Sequence, residues 1–320
     1  MKIVITDCDH ADVAIERDCI AQVGGECALY QDASPAGIIA NARGADGLLV
    51  QYGRITGEVL DALPEVQVIS RYGVGVDTVD VAAATERGVA VCNVPDYGTE
   101  AVSDHAIALA VAVVRNTAGM DRRMRAGQSA LAASVPVYGF AGRRFGVIGA
   151  GAIGSATARK AAGLGFEVVV FDARFEPGAR TPEGWPVVSL ETLLVSSHVV
   201  SIHVPLTEQT RHLIDADALA CMRSDAVLIN TARGGVVETT ALVTALQQGR
   251  LLGAGLDVLE EEPLPVDHPL MSCPRVVLTP HAGFYTEDSY AELKRRTAQH
   301  ALDVVQGRRP GNILNPEVLK

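Results

Sequence analysis

The chain of 320 residues predicts an α/β protein made of two doubly wound parallel-sheet domains. Three observations lead there. Short, unbroken apolar runs alternate with amphipathic stretches along the chain, as strands buried on both faces by helices would read. A glycine fingerprint opens only near Gly149, so roughly 140 residues precede it, enough for a domain of their own. Hydrophobic residues make up 48% of the chain but aromatics only 4%, so two sizeable cores must rest on Val, Leu, Ile and Ala.

The first series has strand-like runs at 3–6, 27–30, 47–50, 66–70 and 89–93, separated by amphipathic stretches at 13–23, 35–42, 57–63 and 79–87. A second series starts at Phe145 and continues at 168–171, 199–203, 226–230, 252–257 and 276–278. Between them, residues 99–126 are rich in Ala, Val and Leu and read as one long helix bridging the domains. Residues 287–306 read as a final helix with no new strands after it, so it can return to the first domain. The expected division is therefore 1–98 plus 286–320 for a flavodoxin-like substrate domain, and 99–285 for an uninterrupted nucleotide-binding domain. Ligands are expected in the cleft at the carboxyl ends of the strands.

The most specific signal is Arg144-Phe145-Gly146-Val147-Ile148-Gly149-Ala150-Gly151-Ala152-Ile153-Gly154, followed by a small-residue helix and a second strand ending on Asp172. Gly149 permits the tight turn, Gly151 lets backbone N–H groups approach a pyrophosphate, and Gly154 lets helix and strand pack closely. Ala152 and Ile153 open a helix whose N-terminus favours phosphate. Asp172 stands where a carboxylate takes the ribose hydroxyls of a dinucleotide. This is a Rossmann unit for NAD, since Asp172 would repel a 2′-phosphate. Arg174, two residues on, leaves the strictness against NADP open.

Charge and cysteine content exclude other classes. A formal net charge of −11 opposes a general nucleic-acid role, which needs a basic field. The six cysteines, at 8, 19, 27, 92, 221 and 273, include no CxxC pair and no His/Cys cluster; they read as buried free thiols of a cytoplasmic protein without a metal site. The N-terminus reads as a strand without a signal-peptide core. The longest apolar stretch, 106–114, is too short to span a bilayer.

Three polar residues follow strands of the second series: Arg233 in Thr231-Ala232-Arg233-Gly234-Gly235, Glu262 in Glu260-Glu261-Glu262-Pro263, and His281 in Thr279-Pro280-His281-Ala282-Gly283. Taken singly, they could be a surface loop, a solvated acid and a turn cap. Together they match what reduction of a 2-keto acid beside a nicotinamide requires. Arg clamps a carboxylate through two parallel hydrogen bonds, His supplies a proton near neutral pH, and Glu favours the charged imidazole.

At this point the chain resembles the D-isomer-specific 2-hydroxyacid dehydrogenase family over nearly its whole length. The matching segments are Arg71-Tyr72-Gly73-Val74-Gly75-Val76-Asp77, Asn93-Val94-Pro95, the glycine fingerprint, His203-Val204-Pro205-Leu206-Thr207, Asn230 to Val237, Asp257 to Pro263, and Thr279-Pro280-His281. The resemblance implies NAD(H)-dependent interconversion of a small D-2-hydroxy acid and its 2-keto acid, such as phosphoglycerate, hydroxypyruvate or glyoxylate. It assigns catalysis to Arg233, Glu262 and His281 and the grip on the nicotinamide carboxamide to Asp257. Val74 and Gly75 would give amides to the substrate carboxylate, with Tyr72 and Gly73 beside them. Thr99, His203, Val204, Pro205, Thr231 and Ala232 would line the cofactor, although His203 also reads as a hydrogen-bonded loop residue. Asp104 would be a helix acid at the hinge.

The segment His281-Ala282-Gly283-Phe284 is similar to the subgroup containing the C-terminal-binding-protein corepressors, which would make Phe284 a pocket wall. An NAD-sensing scaffold with little turnover is therefore the alternative. A formate-dehydrogenase-like reading is opposed by the carboxylate at Glu262. The resemblance also implies a homodimer through the cofactor domain, using the apolar face of 99–126. Arg54 and Arg71 follow first-series strands and would either bind a second anionic group or serve structure and solvation. His10 is a further candidate substrate contact, while His105, His198, His212, His268 and His300 read as structural or solvated.

Overall fold

The computed structural model describes residues 1–9 and 11–319. His10, weighed above as a substrate contact, lies outside the described residues. The chain divides into two compact units, Met1–Gly98 with Thr286–Lys320, and Thr99–Tyr285.

The first unit opens with β1 (Lys2–Asp7), α1 (Ala14–Ala21), β2 (Glu26–Leu29), α2 (Pro35–Asn41), β3 (Gly47–Val50), α3 (Gly57–Asp61), β4 (Val68–Arg71), α4 (Val81–Glu86) and β5 (Ala90–Cys92). The strands form a wholly parallel sheet in the order β2-β1-β3-β4-β5. Side chains alternate across it with the period of two that strands impose: Ile3, Ile5, Leu49 and Val68 enter one core, Val4, Leu48, Val50 and Ile69 the other. Helix starts carry their expected caps. Ser34 accepts from the Gly37 N–H at 3.1 Å ahead of Pro35, and Asp80 accepts from Ala83 at 2.9 Å.

The second unit contains α5 (Thr99–Val114), α6 (Thr117–Arg125), β6 (Arg144–Ile148), α7 (Ala152–Gly163), β7 (Glu167–Phe171), α8 (Leu190–Ser196), β8 (Val199–Ile202), α9 (Ala216–Cys221), β9 (Val227–Asn230), α10 (Thr239–Gln247), β10 (Gly253–Leu256) and β11 (Val276–Leu278). Its six strands are also all parallel, in the order β11-β10-β9-β8-β6-β7. The chain runs outward from β6 to β7, then returns to β8 on the other side of β6. The carboxyl ends of β6 and β8 therefore form the topological switch point at which open α/β sheets bind ligands. After Tyr285 the chain re-enters the first unit as α11 (Glu287–Val305), started by a capping box between Thr286 and Ser289. Ser70 of β4 donates to the Thr297 carbonyl of α11 at 2.8 Å.

The single helix expected over 99–126 is corrected to two. Asn116 takes φ +52 between α5 and α6, a left-handed turn that Asn tolerates better than most residues. Its side chain donates to the Ser134 carbonyl at 3.0 Å, which fixes the break. The apolar face offered above to a second copy is also used differently. Leu109 and Val113 of α5 are buried in the core of their own unit, opposite Gly255 and Gly253 of β10. A Cβ on either glycine would stand 2.8 Å from those side chains, so β10 needs glycine for the helix to pack. Helix α6 buries no residue and leaves Met124 exposed. Cys221 is exposed, which corrects the expectation that every cysteine is buried. Among the described residues no helix is long and apolar enough to cross a membrane, and no cluster of side chains could hold a metal ion.

Candidate active site

Every strand-end loop of the second unit named by the sequence reaches the carboxyl edge of its sheet. After β6, Gly149 adopts φ +95, and an added Cβ would stand 2.8 Å from the His203 carbonyl oxygen. At Gly154 a Cβ would collide with the Gly149 carbonyl oxygen, so α7 can lie against the turn only with glycine there. Gly151, in contrast, faces open space. Beside it is a cavity of about 470 Å³ lined by Thr99, Ala150, Gly151, Ala152, Ser155 and Arg174, among others. Open backbone at a helix N-terminus is the environment a pyrophosphate needs.

Asp172 closes the far side of this turn. It accepts from the Ala150 N–H at 2.8 Å and from Arg174 three times, at the N–H (2.9 Å), Nε (2.9 Å) and Nη2 (2.7 Å). The Arg174 guanidinium, with these amides, outweighs burial and holds the Asp172 carboxyl down to about 2. His203, after β8, bonds Ser201 Oγ through Nε2 at 2.9 Å, and burial pushes its imidazole down to about 3. Val204 packs against the Gly149 turn. Asp104 and Glu100 of α5 each meet Lys160 of α7 at 2.7 Å, so Asp104 acts as a clasp between these two helices.

The three candidate catalytic residues come together. A cavity of about 240 Å³ is lined by Arg233, Glu262 and His281 with Gly234, Leu206 and Arg211. Asn230 shapes the turn that presents Arg233, its Oδ1 accepting from the Ala232 N–H and its Nδ2 donating to the Arg233 carbonyl, both at 3.0 Å. Gly234 then lets the turn lie on the neighbouring loop, since a Cβ there would collide with the Leu259 and Glu260 backbone. Glu262 is anchored by the Leu259 N–H at 2.8 Å and meets His281 Nδ1 at 2.9 Å. Burial pushes the Glu262 carboxyl up, but the bonds from His281 and Leu259 outweigh it and leave the carboxyl below its ordinary value.

His281 takes φ +53, a left-handed conformation of the kind that costs a non-glycine residue about 1–3 kcal/mol and clusters at functional sites. Its N–H donates to the Asp257 carbonyl at 2.8 Å. The Phe284 ring stands edge-on to the imidazole, with centroids 6.5 Å apart. Thr231 Oγ1 is buried with no hydrogen-bond partner among the described residues. An orphan polar atom at this strand end, the open Gly151 turn and the acid at Asp172 are what a bound dinucleotide would use. The residues present fit that cofactor.

In the first unit Gly73 adopts φ +129, with the Arg71 guanidinium lying over it. Asn93 Nδ2 bonds the Val74 carbonyl at 2.5 Å, which holds the 73–75 turn open. Val74 is exposed, and Arg54 is exposed after β3. Tyr72 is a correction. Its side chain is 2% exposed in the core and its hydroxyl donates to Glu16 at 3.0 Å, so only its backbone belongs to the turn. Strand alternation continued past β4 and turned this ring inward.

Sequence reading missed Arg211, which lines the cavity with Arg233, and gave His105 only a structural reading. His105 bonds Thr279 Oγ1 at 2.9 Å. The run His212-Leu213-Ile214-Asp215 after Arg211 and the position of His105 on α5 carry no motif of their own, so only folding reveals their neighbours.

This geometry defines a nicotinamide-dependent dehydrogenase, with a dinucleotide turn beside an Arg–Glu–His cavity at one sheet edge. The family model for the D-isomer-specific 2-hydroxyacid dehydrogenase NAD-binding domain matches residues 107–283. A glyoxylate reductase of Korarchaeum cryptofilum is 38% identical over 302 residues, covering 92% of this chain and 91% of its own. A D-3-phosphoglycerate dehydrogenase of Methanocaldococcus jannaschii is 33% identical over 319 residues, covering 98% of this chain and 59% of its own. A solved protein of Thermus thermophilus superposes with TM-score 0.90 at 36% identity, covering 98% of this chain and 100% of that one. The chain belongs to the D-isomer-specific 2-hydroxyacid dehydrogenase family. It is an NAD-binding oxidoreductase that interconverts hydroxy and keto acids, and the scaffold alternative is not favoured.

Proposed function

We propose that this enzyme reduces a small 2-keto acid with NADH, with Arg233, Glu262 and His281 as its catalytic residues. The carrying observation is the 2.9 Å contact between His281 Nδ1 and Glu262 in the same cavity as Arg233. Because Nδ1 is committed to the carboxylate, Nε2 is the nitrogen left to give a proton to the substrate carbonyl oxygen. Bound NADH supplies the hydride. Arg233 clamps the substrate carboxylate and polarises the carbonyl. In the oxidative direction the neutral imidazole takes the hydroxyl proton. Phe284, edge-on to His281, limits the size of the substrate's third group.

Asp172 favours NAD over NADP by repelling a 2′-phosphate. Glyoxylate and hydroxypyruvate are the first substrates to test, given a glyoxylate reductase as relative. Arg54 and Arg71 are proposed to add a positive field that admits a second anionic group. A homodimer through the second unit, on the face where α6 buries nothing, is the proposed assembly in the cytoplasm. A monomer mass at micromolar concentration would overturn it.

The deciding experiment is NADH oxidation against glyoxylate, pyruvate, hydroxypyruvate, phosphohydroxypyruvate and oxaloacetate. Turnover of at least one of these, abolished in Arg233→Ala, supports the reading. No turnover of any keto acid by the intact protein refutes it.

A further inference from the structure

Asp257, one residue past β10, is 3% exposed and collects donors from the loop that carries His281. Thr279 Oγ1 donates to its Oδ1 at 2.5 Å, Ala282 N–H to the same oxygen at 2.9 Å, and Gly283 N–H to Oδ2 at 2.8 Å. Burial pushes the Asp257 carboxyl up, yet the bonds from His105, Thr279 and the two amides outweigh it and hold the group ionised. A hydroxyl has one proton and a carboxylate only accepts, so the Thr279 proton points to Asp257. Thr279 Oγ1 must then accept from His105 Nε2, 2.9 Å away. The tautomer of His105 follows: Nε2 carries the proton.

The result is a cluster that links α5 to the histidine loop: His105 Nε2–H stands 2.9 Å from Thr279 Oγ1 and 3.3 Å from Asp257 Oδ1, Thr279 Oγ1–H bonds Asp257, and Asp257 also accepts from the two peptide N–H groups that follow His281. His105 also lies beside the loop at Gly283. A Cβ on Gly283 would stand 3.4 Å from His105 Cδ2 and 2.8 Å from Asp257 Oδ2, so the loop passes close over both groups. Backbone in a left-handed conformation persists only where its surroundings over-determine it. At His281 those surroundings include this cluster, beside the Asp257 and Thr279 carbonyls that take its own N–H.

We propose that His105 is a positioning residue for the reaction: through Thr279 and Asp257 it holds the loop that keeps the His281 imidazole against Glu262. The proposal rests on His281 as the proton donor. It assigns His105 no contact with substrate or cofactor. Hydrogen bonds in series polarise one another, so loss of the first donor weakens the grip of the last acceptor on Ala282 and Gly283.

The test pairs His105→Leu, which removes the donor, with His105→Gln, whose carboxamide can still donate to Thr279. In cofactor-free protein, amide hydrogen exchange across 280–286 should quicken about fivefold or more in His105→Leu and stay within about twofold of wild type in His105→Gln. In steady state, kcat should fall about tenfold in His105→Leu with KM for the keto acid within about threefold, and Thr279→Val should match it. The double variant should lose less than the product of the two single losses, because both residues act on Asp257 in one cluster. Should His105→Leu fail to fold, Thr279→Val against Thr279→Ser reads the same link. Unchanged exchange in the Leu variant, or losses that multiply in the double variant, overturns the proposal. An inactive wild type with the exchange difference intact would instead fail the functional reading and leave the loop restraint standing.

Discussion

Glu262 and His281 meet at 2.9 Å although 18 residues and a strand separate them in sequence, and each also has a backbone anchor that does not depend on the other's side chain. Glu262 hangs from the Leu259 N–H, and His281 from the Asp257 carbonyl. Removing the carboxylate should therefore spare the fold and damage the chemistry. Glu262→Gln is expected to lower kcat by roughly one to two orders of magnitude with little change in thermal midpoint. His281→Asn, which keeps a residue that tolerates φ +53, should lower kcat by about two to four orders of magnitude. Initial rates and thermal melts of both variants check this.

Arg233→Lys keeps the charge but loses the planar fork. With its turn still shaped by Asn230, the variant should fold normally. Its kcat/KM for the keto acid should fall by about tenfold or more, while NADH binding measured by nucleotide fluorescence stays unchanged.

Asp172 is already occupied by the Arg174 guanidinium at Oδ1 and Oδ2, so the two residues oppose each other in cofactor choice. Asp172→Ser removes the repulsion and frees the cation, and NADPH affinity should rise by about tenfold (roughly 1.4 kcal/mol). Arg174→Ala should weaken NADPH further and leave NADH within about threefold. Dissociation constants for the two reduced nucleotides decide the matter. Equal affinities in wild type would contradict the preference for NAD.

The His203 imidazole, pushed down to about 3 by burial, is neutral in the folded protein at any physiological pH. The unfolded chain binds its proton below about 6.5, so between that pH and about 3 the unfolded state holds more protons. Stability must then fall as pH drops through this window and be fully present above it. Denaturant melts from pH 7 to pH 4 should show a shallower decline in His203→Asn than in wild type. Asp172 acts lower: with its carboxyl held at about 2 against an unfolded value near 3.9, its contribution is present above about pH 4 and lost toward pH 2.

Gly154→Ala tests the glycine turn by packing alone. Its new methyl would collide with the Gly149 carbonyl oxygen, which is backbone and cannot swing away. A loss of about 1–3 kcal/mol in unfolding free energy is expected, together with weaker NADH binding. Gly151→Ala meets open space, so it should melt like wild type and lose only nucleotide affinity.

The strand and helix alternation, the parallel sheets and the dinucleotide turn were all legible, because buried parallel strands must be apolar throughout and a phosphate turn must be glycine. Arg233, Glu262 and His281 were legible as residues at strand ends. Their meeting was expected from those shared strand ends and from the family resemblance, but the packing that allows it, Gly234 letting one loop lie on another, was not. Tyr72 was misassigned because a motif carries backbone and side chain together, while the fold sends this ring into the core. The stretch 99–126 looked continuous because helix propensity is summed over neighbours, whereas the break at Asn116 is held by Ser134, a partner 18 residues away.

By itself, then, the order of residues determined which segments are strands, which turn takes a nucleotide and which side chains carry reactive groups; these depend on local sterics and periodicity. Only the tertiary structure decided which unforeseen partners those groups find: Arg174 on Asp172, Arg211 beside Arg233, His105 on Thr279. The physical reason is that hydrogen bonds and ionisation depend on distances of a few ångströms between loops that the chain brings together only on folding.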